Sequence, residues 1–223
     1  MSSHITDFAS LKEAIVIEAD REGHTTFENR TEQFIANAEE RIFKGVGRYD
    51  DPLYSEPLRA SEMVTSTTVA LTSGTGSLPA DCLSVRRLTR DSDRHGLKYL
   101  APEALALDIA CQSGTGNPIW FTIEGTSILT SPTGFTGNLN IVYYAQPDAL
   151  SSDNTTNVVL TARPSLYQQA SLYYAFKWAR DYDAAQTALA ELRAIISGAN
   201  HTEAHQRHAG GKLISKPRVV VGC

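Results

Sequence analysis

The chain has 223 residues and a formal net charge of -5, and 42% of its residues are hydrophobic. This composition is ordinary for a globular protein with a buried core, and three widely spaced cysteines argue against a disulfide framework or a zinc ribbon. Because no apolar run approaches the roughly 18 residues of a membrane span and no signal peptide opens the sequence, we expect a soluble, unexported chain made in a reducing compartment.

Two amphipathic helices are predicted near the amino terminus. In "TDFASLKEAIVIEAD", Thr6 or Asp7 can cap a helix that has a single apolar face. The segment "TEQFIANAEERIFKGV" repeats this periodicity between Phe34 and Val46. With Gly23 in the connection between them, the two helices are expected to begin a bundle.

The pattern changes to β-strands after Tyr49. Stretches rich in Val, Thr, Ile and aromatic residues have the length and alternation of strands. They lie near residues 63–72, 82–90, 118–124, 127–131 and 138–144. One short helix is predicted in "APEALALDIACQ", where Pro102 suits a first helical turn.

A helix that begins after Pro164 is apolar on nearly its whole circumference. In "SLYQQASLYYAFKWARDYDAA", leucine, alanine and aromatic residues leave no wide polar face, so the helix must be covered on more than one side. Asp181 or Asp183 can then cap a further helix with one apolar stripe, which we expect to end at Gly198.

The order of helices, strands and helices predicts an α+β protein. We expect a bundle built from the amino-terminal and carboxy-terminal helices, a β-rich insertion and an extended basic arm. The corresponding segments are residues 1–48 and 151–198 for the bundle, 49–150 for the insertion with its short helix, and 199–223 for the arm.

The sharpest cluster of chemically active side chains is a group of histidines. His201, His205 and His208 would share one face of a helix, a geometry that can hold zinc. The segment has weak helix signals, however, and Thr202 stands where the zinc-protease signature has glutamate. No phosphate-binding loop or serine nucleophile motif is present either. The sequence therefore predicts no metal, no cofactor and no enzyme, with a His-cluster metalloenzyme as a minor alternative.

Basic residues are concentrated in two places. The stretch "VRRLTRDSDRHGLK" holds Arg86, Arg87, Arg90, Arg94 and Lys98. The chain from residue 199 onward is also basic, which leaves about -8 for the body. Because phosphate neutralisation dominates duplex affinity, an acidic body favours only transient, non-specific contact with DNA.

Several motifs together resemble a known family. They are "QFIANAEERIFKGVGRYD", "PLRASEM", "GSLPADCLSVRRL", "APEAL", "NPIWFTIEGTSILTSP" and "NIVYYAQPDALSSDNTTNVVLTARPSLYQQASLYYAFKWARD". In this order, over about residues 8–197, they resemble the head-to-tail adaptor (connector) proteins of tailed double-stranded-DNA bacteriophages. The likeness is greatest to the adaptors that form the ring beneath the portal in short-tailed phages.

The resemblance implies a structural virion protein of the neck, made in the host cytoplasm. It implies a homo-oligomeric ring, expected to be dodecameric, on the phage portal protein. Such a ring extends the DNA channel, helps to retain the genome until ejection and offers a platform for a downstream tail or nozzle protein. No membrane takes part.

The resemblance also implies a carboxy-terminal arm that reaches onto the portal. Its basic and apolar residues suit docking by charge and by strand addition. They are Arg207, Lys212, Leu213, Ile214, Lys216, Pro217, Arg218, Val219, Val220 and Val221.

The all-round apolar helix is a candidate for contact between subunits, because a ring gives each copy two different neighbours. Tyr167, Tyr174 and Trp178 share a face at spacings of seven and four, and we expect them nearest to an intersubunit seam. The alternative is an α+β interaction module without ring assembly, in which this helix is simply central to a monomeric core.

Overall fold

The computed structural model describes residues 4–90, 96–111, 114 and 116–208. Helices at both ends and a β-rich middle confirm the predicted α+β class. The chain divides into two compact units. We call residues 4–63 together with 146–208 the helical unit, and residues 64–145 the β unit.

Seven helices and seven strands are described. The helices are α1 (Phe8–Glu18), α2 (Thr25–Glu28), α3 (Thr31–Lys44), α4 (Pro102–Cys111), α5 (Val158–Ala162), α6 (Pro164–Ala179) and α7 (Tyr182–His208), with a 3-10 turn at Ser61–Met63. The strands are β1 (Val64–Leu71), β2 (Thr75–Ser77), β3 (Cys82–Arg90), β4 (Lys98–Tyr99), β5 (Trp120–Glu124), β6 (Ser127–Ser131) and β7 (Gly137–Ala145). Of these, α4 and all strands lie in the β unit.

Helix α6 is the centre of the helical unit. Proline occupies its first turn, as predicted, and α1, α3, α5 and α7 all pack against it. Leu166, Ala170, Leu172 and Ala175 are buried in these contacts. The apolar surface of α6 is therefore covered largely within one chain, so its pattern does not require a neighbouring subunit.

Short polar contacts define where helices begin. Asp7 caps α1 as predicted, because its Oδ1 accepts the backbone N–H of Ser10 at 2.8 Å, and this contact lowers the pKa of Asp7. Asp181 caps α7, since its Oδ1 accepts the N–H of Ala184 at 3.1 Å. Both capping predictions are confirmed.

Helix α7 continues through Gly198 to His208, so the predicted end at Gly198 is wrong. Asn200 explains the continuation: its Oδ1 accepts the N–H of Arg59 at 2.7 Å, and its Nδ2 donates to the carbonyl group of Pro57 at 3.0 Å. These tertiary contacts outweigh the roughly 1 kcal/mol by which glycine disfavours a helix. Residues 199–208 are thus helical, and 209–223 lie outside the described residues.

The β unit contains two sheets. Strands β1, β7 and β3 form an antiparallel sheet in that order, and β2, β6, β5 and β4 form the other, in which β4 runs parallel to β5. The five predicted strands correspond to β1, β3, β5, β6 and β7. The core of the β unit is apolar and consists of Val69, Leu71, Leu88, Leu97, Phe121, Ile128, Leu139, Ile141 and Tyr143.

The β unit is shorter than the predicted insertion of residues 49–150, because long-range hydrogen bonds draw both flanks into the helical unit. On one flank, Arg41 donates from Nη1 to the carbonyl group of Leu53 at 3.2 Å. On the other, Glu39 accepts the N–H of Leu150 at 2.9 Å.

Candidate interaction surfaces

Tyr167, one of the three residues expected at a seam, is completely buried, with 0% of its surface exposed. Its hydroxyl group donates to Oε1 of Glu39 at 3.2 Å and accepts from Nδ2 of Asn157 at 2.8 Å. Burial, and then the nearby carboxylate, raise the pKa of Tyr167. This residue belongs to the core of the helical unit, and its side chain offers no surface to a neighbouring chain.

Trp178, near the end of α6, reaches the surface with 37% of its area exposed. On its inner side the indole ring packs against Phe27 and Phe34, with ring centroids 5.7 and 6.3 Å away. His24 meets it edge-on at 6.3 Å, and the guanidinium carbon of Arg30 lies 5.9 Å from the ring. One side of Trp178 is therefore held by the chain while the other is open to a partner.

The half-buried Tyr174 helps to hold the buried guanidinium group of Arg41 in place. Nε of Arg41 donates to the hydroxyl group of Tyr174 at 3.2 Å, and the guanidinium carbon lies 4.6 Å from the ring centre of Tyr173. Because Arg41 also binds the carbonyl group of Leu53, Tyr174 helps to position the chain that follows α3. Tyr167, Tyr174 and Trp178, which the helical periodicity placed on one face, thus have three different environments in the structure.

The loop at residues 46–55, which we call the tyrosine loop, is a surface that the sequence analysis missed. Two backbone hydrogen bonds of 2.9 Å between Val46 and Ser55 close it, and Nη2 of Arg193 donates to the carbonyl group of Pro52. At its tip, Tyr49 is 91% exposed. An anchored loop with an exposed aromatic side chain is well suited to protein contact, since tyrosine is common among energetically dominant interface residues.

Gly45 makes the start of the tyrosine loop possible. Its φ is +73°, and a Cβ there would lie 2.7 Å from the carbonyl oxygen of Ser55. The sequence "KGVGRYD" therefore carried the clue to this loop: two closely spaced glycines, followed by an exposed aromatic and an acidic residue, stand in place of a continued helix.

A groove of about 480 Å³ runs along β3 in the β unit. Its apolar floor includes Leu88, Leu97 and Phe121, and Arg86 and Arg87 from the predicted basic stretch line it. Lys98, from the same stretch, lies 5.2 Å from the ring centre of Trp120. Position 94 of the stretch lies outside the described residues.

Glu39 is a buried acid in α3 with a structural role. It accepts hydrogen bonds from the N–H of Leu150 at 2.9 Å and from the hydroxyl group of Tyr167 at 3.2 Å. Burial raises the pKa of Glu39 above its ordinary 4.5, while the two hydrogen bonds oppose that rise. The network joins α3, α6 and the segment at Leu150, so its role is to stabilise the fold.

The histidine cluster lies on the last turns of α7. His201 and His205 are exposed, and their Nε2 atoms are 3.2 Å apart. The side chain of His208 lies outside what the structure describes. Within the described ranges, no group of three His, Cys, Asp or Glu side chains could hold a metal ion.

The predicted portal-binding arm is described only at its start. Arg207 is exposed on the last turn of α7. The other residues of that prediction, from Lys212 to Val221, lie outside the described residues. No helix in the described part of the chain is long and apolar enough to cross a membrane.

Exposed aromatic residues on anchored elements, with buried polar groups that serve the fold, are typical of a protein that acts through contacts with other proteins. The family model of the SU10 adaptor protein matches residues 6–213. The chain therefore belongs to the SU10 adaptor protein family and is a phage structural adaptor, as the resemblance implied. A family of structural adaptors is consistent with the prediction that the chain is not an enzyme. No curated protein matches the chain.

Membership of this family implies interaction with portal and tail proteins and a place in the virion neck.

Proposed function

We propose that the chain assembles as a homo-oligomeric ring beneath the phage portal protein. The ring extends the DNA channel, helps to retain the packaged genome and carries the next tail or nozzle protein. The family match over residues 6–213 carries this proposal. From the resemblance, we assign the ring a dodecameric form in a short-tailed phage, assembled from chains made in the host cytoplasm.

The charge distribution supports a channel component. An acidic body repels phosphate, so DNA that passes through the ring makes only transient, non-specific contacts. The carboxy-terminal residues are basic by contrast, which suits attachment to an acidic protein surface.

The way α7 ends supports an arm that reaches a neighbouring protein. Asn200 ties α7 to the segment at Pro57 and Arg59, which fixes the base from which the chain continues. Residues 209–223, fully extended, span at most about 50 Å. We propose that Lys212 to Val221 contact the portal within this reach.

Two surfaces of the helical unit are proposed for contact between copies. In this proposal, one surface is centred on Trp178, with Tyr174 beside it on α6. The other is the tyrosine loop, with Tyr49 at its tip. Each projects an aromatic ring from an element that the rest of the unit holds in place, which lowers the entropic cost of binding.

The test is to mix the purified full chain with portal rings and to image the product by electron microscopy. We expect a second ring stacked on one face of the portal, absent from portal alone and from the chain alone. Portal rings that remain bare at saturating adaptor concentration would contradict the proposal.

A second candidate is an interaction module that binds without forming a ring. The observation in its favour is that α6 is covered by four helices of its own chain. Sedimentation of the portal mixture distinguishes the two, because a module binds as separate copies with graded occupancy, whereas a ring forms cooperatively.

A further inference from the structure

We infer that His201 and His205 form a surface site for a divalent transition-metal ion on the last turns of α7. Their imidazole rings meet edge to face with 4.3 Å between centroids, and their Nε2 atoms lie within hydrogen-bond distance, 3.2 Å apart. Both side chains are exposed, so an ion can reach them from solvent without any rearrangement of the core.

The distance between the two nitrogen atoms matches a shared metal ion. Imidazole binds zinc at about 2.0–2.1 Å, so two ligands separated by 3.2 Å enclose an angle of about 100° at the metal. This angle lies between the tetrahedral and the square arrangements. The helical spacing therefore brings both nitrogen atoms to the separation of a chelating pair, and small rotations of the side chains would direct both lone pairs to one ion.

The donor set selects the class of ion. Two neutral imidazoles and solvent favour Cu²⁺, Ni²⁺ and Zn²⁺ over Mg²⁺ and Ca²⁺, which prefer oxygen ligands. Water molecules complete the coordination sphere.

A bound ion would act as a clip across one helical turn. It joins position 201 to position 205 only when that turn is helical, so binding free energy adds to the stability of the helix end. Because the carboxy-terminal residues continue directly from this turn, the clip would fix the point from which they leave α7.

The experiment is isothermal titration of Ni²⁺ and Zn²⁺ into the full chain without an affinity tag. We expect one ion per chain. Single variants His201→Ala and His205→Ala should each weaken binding by at least about tenfold, the loss typical even for the removal of a ligand's supporting hydrogen-bond partner. The matched control is His4→Ala, which removes another exposed imidazole and should leave the affinity unchanged.

A second readout locates the ion independently of its affinity. Substoichiometric Cu²⁺ should broaden the ring NMR signals of His201 and His205 before those of His4 and His24. Circular dichroism of each variant checks that α7 still forms. Titrations that are the same in wild type, His201→Ala and His205→Ala, or broadening that begins elsewhere, would overturn the assignment.

Discussion

The hydroxyl group of Tyr167 on α6 donates a hydrogen bond to the carboxylate of Glu39 on α3, with 3.2 Å between the oxygen atoms. Both side chains are buried, and the same carboxylate also accepts the N–H of Leu150. One acid thus joins two helices to the segment before α5. Its desolvation is costly, because a buried charge loses the stabilisation it receives from water.

The buried acid makes stability depend on pH. Burial raises the pKa of Glu39 above 4.5, so the folded chain holds this proton more tightly than the unfolded chain does. The contribution of Glu39 is therefore fully present below pH 4.5 and is lost as the pH rises through the raised pKa. Urea unfolding of wild type and Glu39→Gln at a series of pH values measures it, because the variant lacks this titration.

The control for that series is Glu40→Gln, which changes the neighbouring, exposed glutamate of α3. This variant removes the exposed ion pair with Lys44, 3.2 Å long, and leaves the buried acid in place, so the pH dependence assigned to Glu39 should persist in it. A stability difference between wild type and Glu39→Gln that does not change with pH would show that the acid is not held as the structure indicates.

Replacing each of two glycines by alanine should change the free energy of unfolding in opposite directions. Gly45→Ala places a Cβ 2.7 Å from the carbonyl oxygen of Ser55 at a φ of +73°, and such backbone strain costs on the order of 1–3 kcal/mol. Gly198→Ala lies inside α7 with open space around the new carbon, so it should stabilise the protein by about 0.5–1 kcal/mol. Chemical denaturation of both variants gives the two free energies, and equal signs would disprove this account of the tyrosine loop.

The starts of helices could be predicted where neighbouring residues in the sequence determine them. Asp7 predicts the start of α1 because a cap needs only the next three residues, and Pro164 predicts the start of α6 for the same reason. The continuation of α7 past Gly198 could not be predicted, because the contacts of Asn200 that favour it come from Pro57 and Arg59.

The exposure of individual side chains was harder to predict than the helices and strands that carry them. Periodicity places Tyr167, Tyr174 and Trp178 on one face of α6, but it cannot say which part of that face another helix covers. The partner that buries Tyr167 is Glu39, 128 residues away in sequence. The tyrosine loop was missed for a similar reason, since one of its two arginine anchors, Arg193, comes from α7, 141 residues away from Pro52 in sequence.

Assembly should protect Trp178 from solvent. The chain contains two tryptophans, so Trp120→Phe leaves the indole ring of Trp178 as the only one. We expect acrylamide to quench its fluorescence less after ring formation on the portal than before. The reciprocal variant, Trp178→Phe, reports on Trp120 and controls for general effects of assembly. Quenching of Trp178 that does not change would remove it from the seam.

Attachment to the portal should require the residues beyond α7. Deletion of 209–223 spares Asn200 and the buried Glu203, so we expect an unchanged unfolding temperature together with loss of portal binding in sedimentation. Lys212→Glu combined with Lys216→Glu and Arg218→Glu should weaken binding without shortening the chain, because it reverses the attracting charge. Removal of positions 222–223 alone is the control, and a deletion variant that still binds would refute the role of the arm.

The pairing of Val64 with Tyr144 has a consequence for how the β unit is inserted in the chain. Opposite residues of antiparallel strands lie about 4.5–5.5 Å apart, so the chain enters and leaves the β unit at adjacent points. A two-residue turn could close that gap. The helical unit is thus interrupted in sequence by residues 64–145, while α1, α3, α5 and α7, the helices that pack against α6, all lie outside that interruption.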